Sequence, residues 1–237
     1  MKWIVFFLFI FQVKAFATVV LVDPGHGGEE LGAVSKLSGK KIYEKDLALR
    51  LSAKVKEILS KKTSTFLTRS LDRTVSLQER ADLADLVKAD LFLSIHFNSS
   101  PNPKSHGFEL YYLDNKSNAA TQKVEKHENA SLKGEELIVN QILVDLVIGQ
   151  TVSHSRQLAS DVHSHLRPIL KKHRIDDRGV KPGLFYVLAL SKRPGLLIEV
   201  GFMSNGAELA KVSSEKFLDD MAQGISDGVF QYIQNKK

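Results

Sequence analysis

The sequence contains no cysteine. Without thiols the chain cannot form disulfides, and a bound metal ion could be held only by His, Asp or Glu side chains. A long apolar run is also missing, because the hydrophobic stretch at residues 3–13 is too short to span a bilayer. The chain contains no basic motif interleaved with aromatic residues and no recognisable nucleic-acid-binding module, so we expect no nucleic acid partner.

Residues 1–17 have the pattern of a secretory signal peptide. Lys2 provides a positive start, an apolar stretch follows, and small residues precede the cleavage position. We expect an exported protein, periplasmic or secreted; an uncleaved anchor is the alternative and would confine membrane contact to this segment. The formal charge of +6 falls to +4 when Lys2 and Lys14 are removed. A modestly basic exported protein suits an anionic cell wall or membrane surface.

Length and composition predict one α/β domain. The chain has 237 residues, of which 43% are hydrophobic and 25% charged, which is enough for one well-packed core. Strand-like and helix-like stretches predict a mixed sheet of about six strands flanked by helices on both faces. The strands are expected at 19–22, 65–68, 89–100, 107–113, 184–188 and 195–202, and the helices at 43–59, 76–88, 155–170 and 214–234. The segments at 29–41 and 171–183 are expected to be loops.

An insertion interrupts this alternation at residues 114–154. The segment is longer than a connection between a strand and the next core helix requires. Its first part is polar and rich in charge, and residues 136–147 have the spacing of an amphipathic helix. We therefore expect an inserted segment with helices of its own.

Two histidines follow apolar strands. His26 comes directly after the first strand and a tight Asp-Pro-Gly turn, and His96 ends a second strand. Neighbouring strands lie roughly 4.8 Å apart, so the two imidazoles can meet above one edge of the sheet. Glu199 lies inside another apolar strand, where a carboxylate is costly to bury unless it is paired or meets a metal. A partner arginine is the structural alternative for Glu199.

Glu44 lies at the start of the first predicted helix. Capping of that helix is its simplest role, because the helix dipole favours a carboxylate there. Two imidazoles and one carboxylate are, however, a recognised ligand set for catalytic zinc. A second carboxylate close to the attacking water would serve as general base.

These residues carry a family resemblance that extends over nearly all of residues 18–237. The chain resembles the type-3 family of zinc-dependent N-acetylmuramoyl-L-alanine amidases, the catalytic domain of bacterial cell-division amidases. The matching pieces lie in order at 22–28, 44–46, 68–69 with Asp72, Leu77 with Arg80, 89–98, 107–109, 178–181 and 197–205.

The resemblance implies the site and the reaction. His26, Glu44 and His96 would ligate one zinc ion, and Glu199 would be the catalytic carboxylate. The substrate would be peptidoglycan, cleaved at the amide between the lactyl group of N-acetylmuramic acid and L-alanine. A related zinc hydrolase such as a peptidase, and a catalytically inactive wall-binding or activator-binding module, are the alternatives. An inactive binding module, however, has no need of the general base that Glu199 would provide.

The resemblance also implies regulation. In relatives, an inserted helical segment at this location blocks the zinc site until an activator protein displaces it. For the insertion at 114–154 we therefore expect autoinhibition and an activator partner. The acidic residues that could lie over the metal are Glu125, Glu128, Glu135 and Glu136.

Further candidates come from the matched motifs. Asn98, Arg69, Arg80 and Arg178 are candidate substrate contacts, although the first could fix its loop and the next two could brace loops through carboxylates. The remaining histidines are expected at the surface: His106, His127, His154, His163, His165 and His173. We expect a monomer without a separate wall-binding domain.

Overall fold

A mixed sheet and seven helices make up the described part of the chain. The computed structural model describes residues 18–130 and 135–236, with the backbone alone for 135–142. The strands are β1 (Val19–Pro24), β2 (Val34–Leu37), β3 (Lys40–Tyr43), β4 (Ser64–Leu67), β5 (Leu91–Asn98), β6 (Phe108–Leu113), β7 (Asp177–Gly183) and β8 (Gly195–Phe202). The helices are α1 (Glu44–Leu59), α2 (Leu77–Leu86), α3 (Ala119–Glu128), α4 (Glu135–His173), α5 (Tyr186–Ser191), α6 (Gly206–Val212) and α7 (Glu215–Asn235).

Six of the strands form one sheet in the order β4-β1-β5-β8-β6-β7. All neighbouring pairs are parallel except β6 and β8, which run antiparallel. Strands β2 and β3 form a separate antiparallel hairpin, most of which lies in the segment 29–41 that the sequence predicts to be a loop. The predicted single α/β domain, with a mixed six-stranded sheet and helices on both faces, is confirmed.

Alternating side chains build a core on each face of the sheet. In β1, Val20 and Val22 join one apolar cluster and Leu21 joins the other, as the two-residue period of a strand requires. Helices α1 and α7 cover the first face, and α5 covers the second. The sheet is therefore buried on both sides, and polar groups become accessible at its edge and at the ends of its strands.

One predicted strand is wrong. Residues 184–188 do not form a strand; the short helix α5 begins at Tyr186, and all six of its residues are buried. A short apolar run that is buried all round has no periodicity, so the pattern does not distinguish helix from strand. The sixth strand is instead β7, from the predicted loop, where an edge position tolerates Pro182.

The inserted segment and the core share one helix. The stretches predicted as separate helices at 136–147 and 155–170 form the single 39-residue helix α4. Helix α3 precedes it in the same insertion. The signal segment at residues 1–17 lies outside the described residues. Within the ranges that the structure describes, no helix has both the length and the hydrophobicity to cross a bilayer.

Candidate metal centre

Three core strands bring the candidate residues to one edge of the sheet. His26 follows β1 by two residues, and His96 and Glu199 are direct register partners on the parallel strands β5 and β8. Glu44 is the first residue of α1. Because the carboxyl ends of parallel strands meet at this edge, residues far apart in sequence converge there.

The glycine before His26 lets the two imidazoles approach. A Cβ atom on Gly25 would lie 2.4 Å from Cε1 of His96, which no real contact permits. Gly25 N donates to the carbonyl of Ile95 at 2.9 Å, which ties the turn to β5. His26 itself adopts a φ of 57°, a left-handed conformation that costs energy for a residue with a side chain. The turn is therefore shaped to place this imidazole over the sheet.

The nitrogen and oxygen atoms of the three predicted ligands converge. Glu44 Oε1 lies 3.1 Å from His26 Nε2 and 3.2 Å from His96 Nδ1. The two rings are 4.9 Å apart between centroids and nearly perpendicular, at 76°. His26, Glu44 and His96 thus form a compact group whose ligand atoms lie within 4.8 Å of one another.

The backbone holds the Glu44 carboxylate in place. Its Oε2 accepts from Ala33 N at 2.7 Å, and its Oε1 accepts from Phe97 N at 3.0 Å. Burial alone would raise the pKa of Glu44, but the His26 and His96 imidazoles outweigh burial and hold that pKa well below its ordinary range. Glu44 is therefore an oriented anion rather than only a helix cap.

These residues fit a metal ion. Glu199 Oε2 is buried without a hydrogen-bond partner among the described residues, and buried His26 Nε2, although 3.1 Å from Glu44 Oε1, is not aligned with it for a hydrogen bond. Buried polar atoms are rarely left unpaired, so the two atoms point to a group that would satisfy them. The donor set of two imidazoles and one carboxylate, without sulfur, suits a single divalent ion such as zinc.

Glu199 is buried beside this group. One of its oxygens lies within 4.8 Å of His96 and Glu128 ligand atoms. Burial raises the pKa of Glu199 well above its ordinary value, and the Glu128 carboxylate raises it further. On the other side, Glu199 pairs in register with Glu109 of β6. A carboxyl group in such a place is suited to taking up and returning a proton.

Glu128 is the inserted carboxylate that reaches the centre. Its Oε2 lies 3.0 Å from His96 Nδ1 and 4.0 Å from His26 Nε2, and its side chain is 8% exposed. Burial alone would lower the pKa of His96, but Glu128 and then Glu44 raise it well above its ordinary value. Glu125, one turn earlier, instead accepts from Leu184 N at 2.7 Å.

The other two acidic candidates, Glu135 and Glu136, begin α4, and their side chains lie outside the described part of the structure.

Arg69 and Arg80 lie beneath the centre, 1% and 3% exposed. Arg69 donates to the carbonyls of Gly25 and Lys45, both at 2.8 Å. Arg80 donates to the carbonyl of His26 at 3.0 Å and forms a buried ion pair with Asp23. Both guanidinium groups thus brace the backbone that carries the candidate metal ligands.

Asp23 is a residue whose role the sequence analysis missed. It is 1% exposed and accepts from Thr68 Oγ1 at 2.6 Å and Ser94 Oγ at 2.8 Å, besides its ion pair with Arg80. Its position at the end of an apolar strand was a usable signal, of the same kind that singled out Glu199.

Replacing Arg80 with methionine should lower the free energy of unfolding by about 3–5 kcal/mol, because it leaves Asp23 charged and unpaired in the interior. Denaturant unfolding of the two proteins measures the difference. Arg73→Met is the matched control, since Arg73 is exposed and its guanidinium donates to the Thr68 carbonyl at 3.0 Å. Equal losses from both substitutions would contradict a special role for the buried pair.

The candidate substrate-binding residues Asn98 and Arg178 both contact Glu109 rather than the candidate metal ligands. Asn98 Nδ2 donates to Glu109 Oε2 at 2.9 Å, and Arg178 Nε lies 3.2 Å from Glu109 Oε1. Three of the other histidines pair with aspartates, the first at the surface and the other two partly buried. These pairs are His106 with Asp176, His163 with Asp177 and His173 with Asp220.

Comparison with known proteins gives consistent matches. Residues 20–231 match the family model for N-acetylmuramoyl-L-alanine amidases, Amidase_3. The N-acetylmuramoyl-L-alanine amidase AmiA of Escherichia coli (strain K12) is 31% identical over 225 residues, which cover 91% of this chain and 76% of the relative.

Two solved structures are similar over almost their whole length. An N-acetylmuramoyl-L-alanine amidase from Clostridium difficile 630 superposes with a TM-score of 0.70 at 31% identity, covering 94% of this chain and 100% of the other. The catalytic domain of CwlV, an N-acetylmuramoyl-L-alanine amidase from Bacillus (Paenibacillus) polymyxa, gives a TM-score of 0.68 at 32% identity, with coverages of 92% and 98%.

Proposed function

The chain belongs to the N-acetylmuramoyl-L-alanine amidase family and is a peptidoglycan amidase that cleaves the bond between N-acetylmuramic acid and L-alanine, and we propose that it does so with one zinc ion and with Glu199 as general base. His26, Glu44 and His96 would hold the ion. The observation that carries this proposal is the convergence of these three side chains beside the buried, unpaired oxygen of Glu199.

Each residue has a defined task in the hydrolysis. A zinc ion held by these residues would supply Lewis acidity, which would lower the pKa of the attacking water and stabilise the charge that develops on the carbonyl oxygen. Glu199 accepts a proton from that water and returns it to the nitrogen of L-alanine as the amide bond breaks. His26, Glu44 and His96 remain in place, braced by Arg69 and Arg80. No covalent intermediate with the protein is needed.

Zinc removal tests the cofactor. Treating the protein with a chelator should reduce release of stem peptides from purified peptidoglycan to background, and one equivalent of zinc should restore it. The midpoint of thermal unfolding should rise when zinc is added back in excess, because a free zinc concentration of about a thousand times the Kd stabilises the folded state by about 4 kcal/mol. Product masses, metal content and calorimetry give the three readouts.

His96→Ala should bind zinc weakly, whereas His106→Ala should bind it normally, because His106 pairs with Asp176 at the surface. Full activity in the chelated protein, or restoration by magnesium but not by zinc, would count against a zinc site.

The insertion is the proposed regulator. Helix α3 presents Glu128 to His96 and His26, where its carboxylate would compete with water and substrate for the metal. Activity would then require α3 to move away, and an activator protein that binds the insertion at 114–154 would favour that movement. Among the four acidic candidates, Glu128 is the one whose distances to His96 and His26 support this role.

Export completes the proposal. We assign residues 1–17 as a signal peptide for a periplasmic or secreted enzyme of residues 18–237, because the substrate of the family is a cell-wall polymer.

A further inference from the structure

A second cavity adjoins the metal centre. Its volume is about 330 Å³, and its floor comes from core strands, with Asn98, Glu109, Arg178 and Phe202. Helix α3 supplies the opposite wall, including Lys123. Asn98 lies two residues beyond His96, and Glu109 pairs in register with Glu199, so two residues of the cavity lining are neighbours of the proposed catalytic residues.

Arg178 is fixed in this cavity before any ligand arrives. Its guanidinium lies over the ring of Phe202, 5.2 Å from the centroid. Its aliphatic stem packs on Gly107, where a Cβ atom would come within 2.8 Å of Arg178 Cγ and Cδ and where φ is 110°. Its Nε lies 3.2 Å from Glu109 Oε1. Stacked and paired in this way, the side chain is held rigid while 36% of it stays exposed.

The cavity carries an excess of positive charge. Glu109 is paired with two cations, Arg178 and Lys181, the latter at 2.6 Å, and it also accepts from Asn98. One carboxylate therefore faces two cationic side chains of the sheet, of which Arg178 lines the cavity; Lys123 lies on α3 and would leave the cavity with that helix. No hydrogen bond to a described residue involves the two terminal amino groups of Arg178, which are the atoms that bind a carboxylate in a fork.

We infer that this cavity is the subsite for a carboxylate of the stem peptide, with Arg178 as its main ligand. The inference rests on the proposed function. The lactyl carboxyl of N-acetylmuramic acid is consumed in the scissile amide, so the anionic groups of a muramoyl peptide lie on its peptide side. A cationic cavity next to Glu199 and His96 therefore fits the peptide, and the substrate runs from the metal towards Arg178. Docked α3 covers both the metal and this subsite.

Two matched substrates test the subsite: a soluble muramoyl peptide with free carboxylates and the same compound with those carboxylates converted to carboxamides. Both are assayed with zinc-loaded Glu128→Ala protein, so that docking of α3 does not limit cleavage. Arg178→Gln in this background should raise KM for the acidic substrate about tenfold, with little change in kcat, because a charge-assisted contact is lost. For the carboxamide substrate, Arg178→Gln should raise KM less than twofold. With the acidic substrate, Arg178→Lys should give a KM between those of the parent and the Arg178→Gln protein.

Arg156→Gln is the control substitution. Arg156 also lies over an aromatic ring, 5.4 Å from the centroid of Tyr112, and 3.8 Å from the Asp114 carboxylate. It should change neither KM nor kcat. Equal losses on both substrates with Arg178→Gln, or no loss on either, would overturn the subsite.

The two proposals fail differently. If the Glu128→Ala protein cleaves both substrates with the same kcat/KM, the subsite is wrong and the amidase chemistry stands. If it binds zinc and cleaves neither substrate nor purified peptidoglycan, the proposed function falls and the subsite with it.

Discussion

Replacing Glu199 with glutamine should lower kcat for the release of stem peptides by about a thousandfold, within the range that a general base contributes. Glutamine has the shape of glutamate but cannot accept the proton of the attacking water. The buried, unpaired Oε2 of Glu199 and its raised pKa are the features that suit it to this transfer. Single-turnover release of peptides from purified peptidoglycan, followed by mass spectrometry, measures the effect.

The zinc content of the variant shows whether lost activity reflects a missing general base or a missing metal ion. The Glu199→Gln protein should bind one zinc ion as wild type does, because the proposed ligands are other residues. Glu199→Asp keeps a carboxylate at a greater distance and should retain more activity than glutamine. If the zinc-loaded glutamine protein kept a tenth of wild-type kcat, Glu199 would not be the base.

Replacing Glu128 with alanine should increase amidase activity by about 10- to 100-fold. A hydrogen bond to a charged group contributes about 1.5–3 kcal/mol, and each 1.4 kcal/mol changes an equilibrium tenfold. Losing the contact between Glu128 and His96 should therefore shift α3 towards undocked states by that factor. Initial rates on purified peptidoglycan, at equal zinc content, report the shift.

A control on the same helix tests whether the effect is specific. Lys126 is exposed on α3, two residues before Glu128, so Lys126→Ala should leave the rate within twofold of wild type. An equal gain from both substitutions would indicate that any damage to α3 activates the enzyme. No gain from Glu128→Ala would contradict inhibition by this carboxylate.

The strands that carry the site could be predicted because their composition is extreme. Strands β1, β5 and β8 are buried on both faces and read as continuous apolar runs, so His26, His96 and Glu199 stand out against them. Convergence then follows from parallel pairing, which sends the ends of such strands to one edge. In these three segments the sequence therefore predicts both where the polar residue lies in the sheet and which chemical group it brings there.

Other features depend on contacts that no local pattern records. Strand β7 is polar and contains a proline, and it is held by pairing with β6 at the edge of the sheet. Helix α5 is buried by its surroundings on every side, which erases the helical period. The choice of Glu128 over Glu125 depends on how α3 is rotated over the sheet, which the sequence of α3 alone does not determine.

The docking of α3 relies mainly on polar contacts. Thr121 and Glu125 are the buried residues of this helix, the Glu128 side chain is 8% exposed, and Val124 is the one apolar side chain that α3 packs on the core beneath it. Its C-terminal end is clasped to the chain before α5: Asn129 Nδ2 donates to the Leu184 carbonyl at 2.6 Å and its Oδ1 accepts from Tyr186 N at 2.9 Å.

When α3 undocks, hydrogen bonds to water can replace these hydrogen bonds, and little apolar surface becomes exposed to solvent. If α3 opens as proposed, we expect a sub-global event with a small denaturant slope and a small heat-capacity change, separate from global unfolding. We therefore expect the sheet that carries the site to stay folded when α3 is displaced.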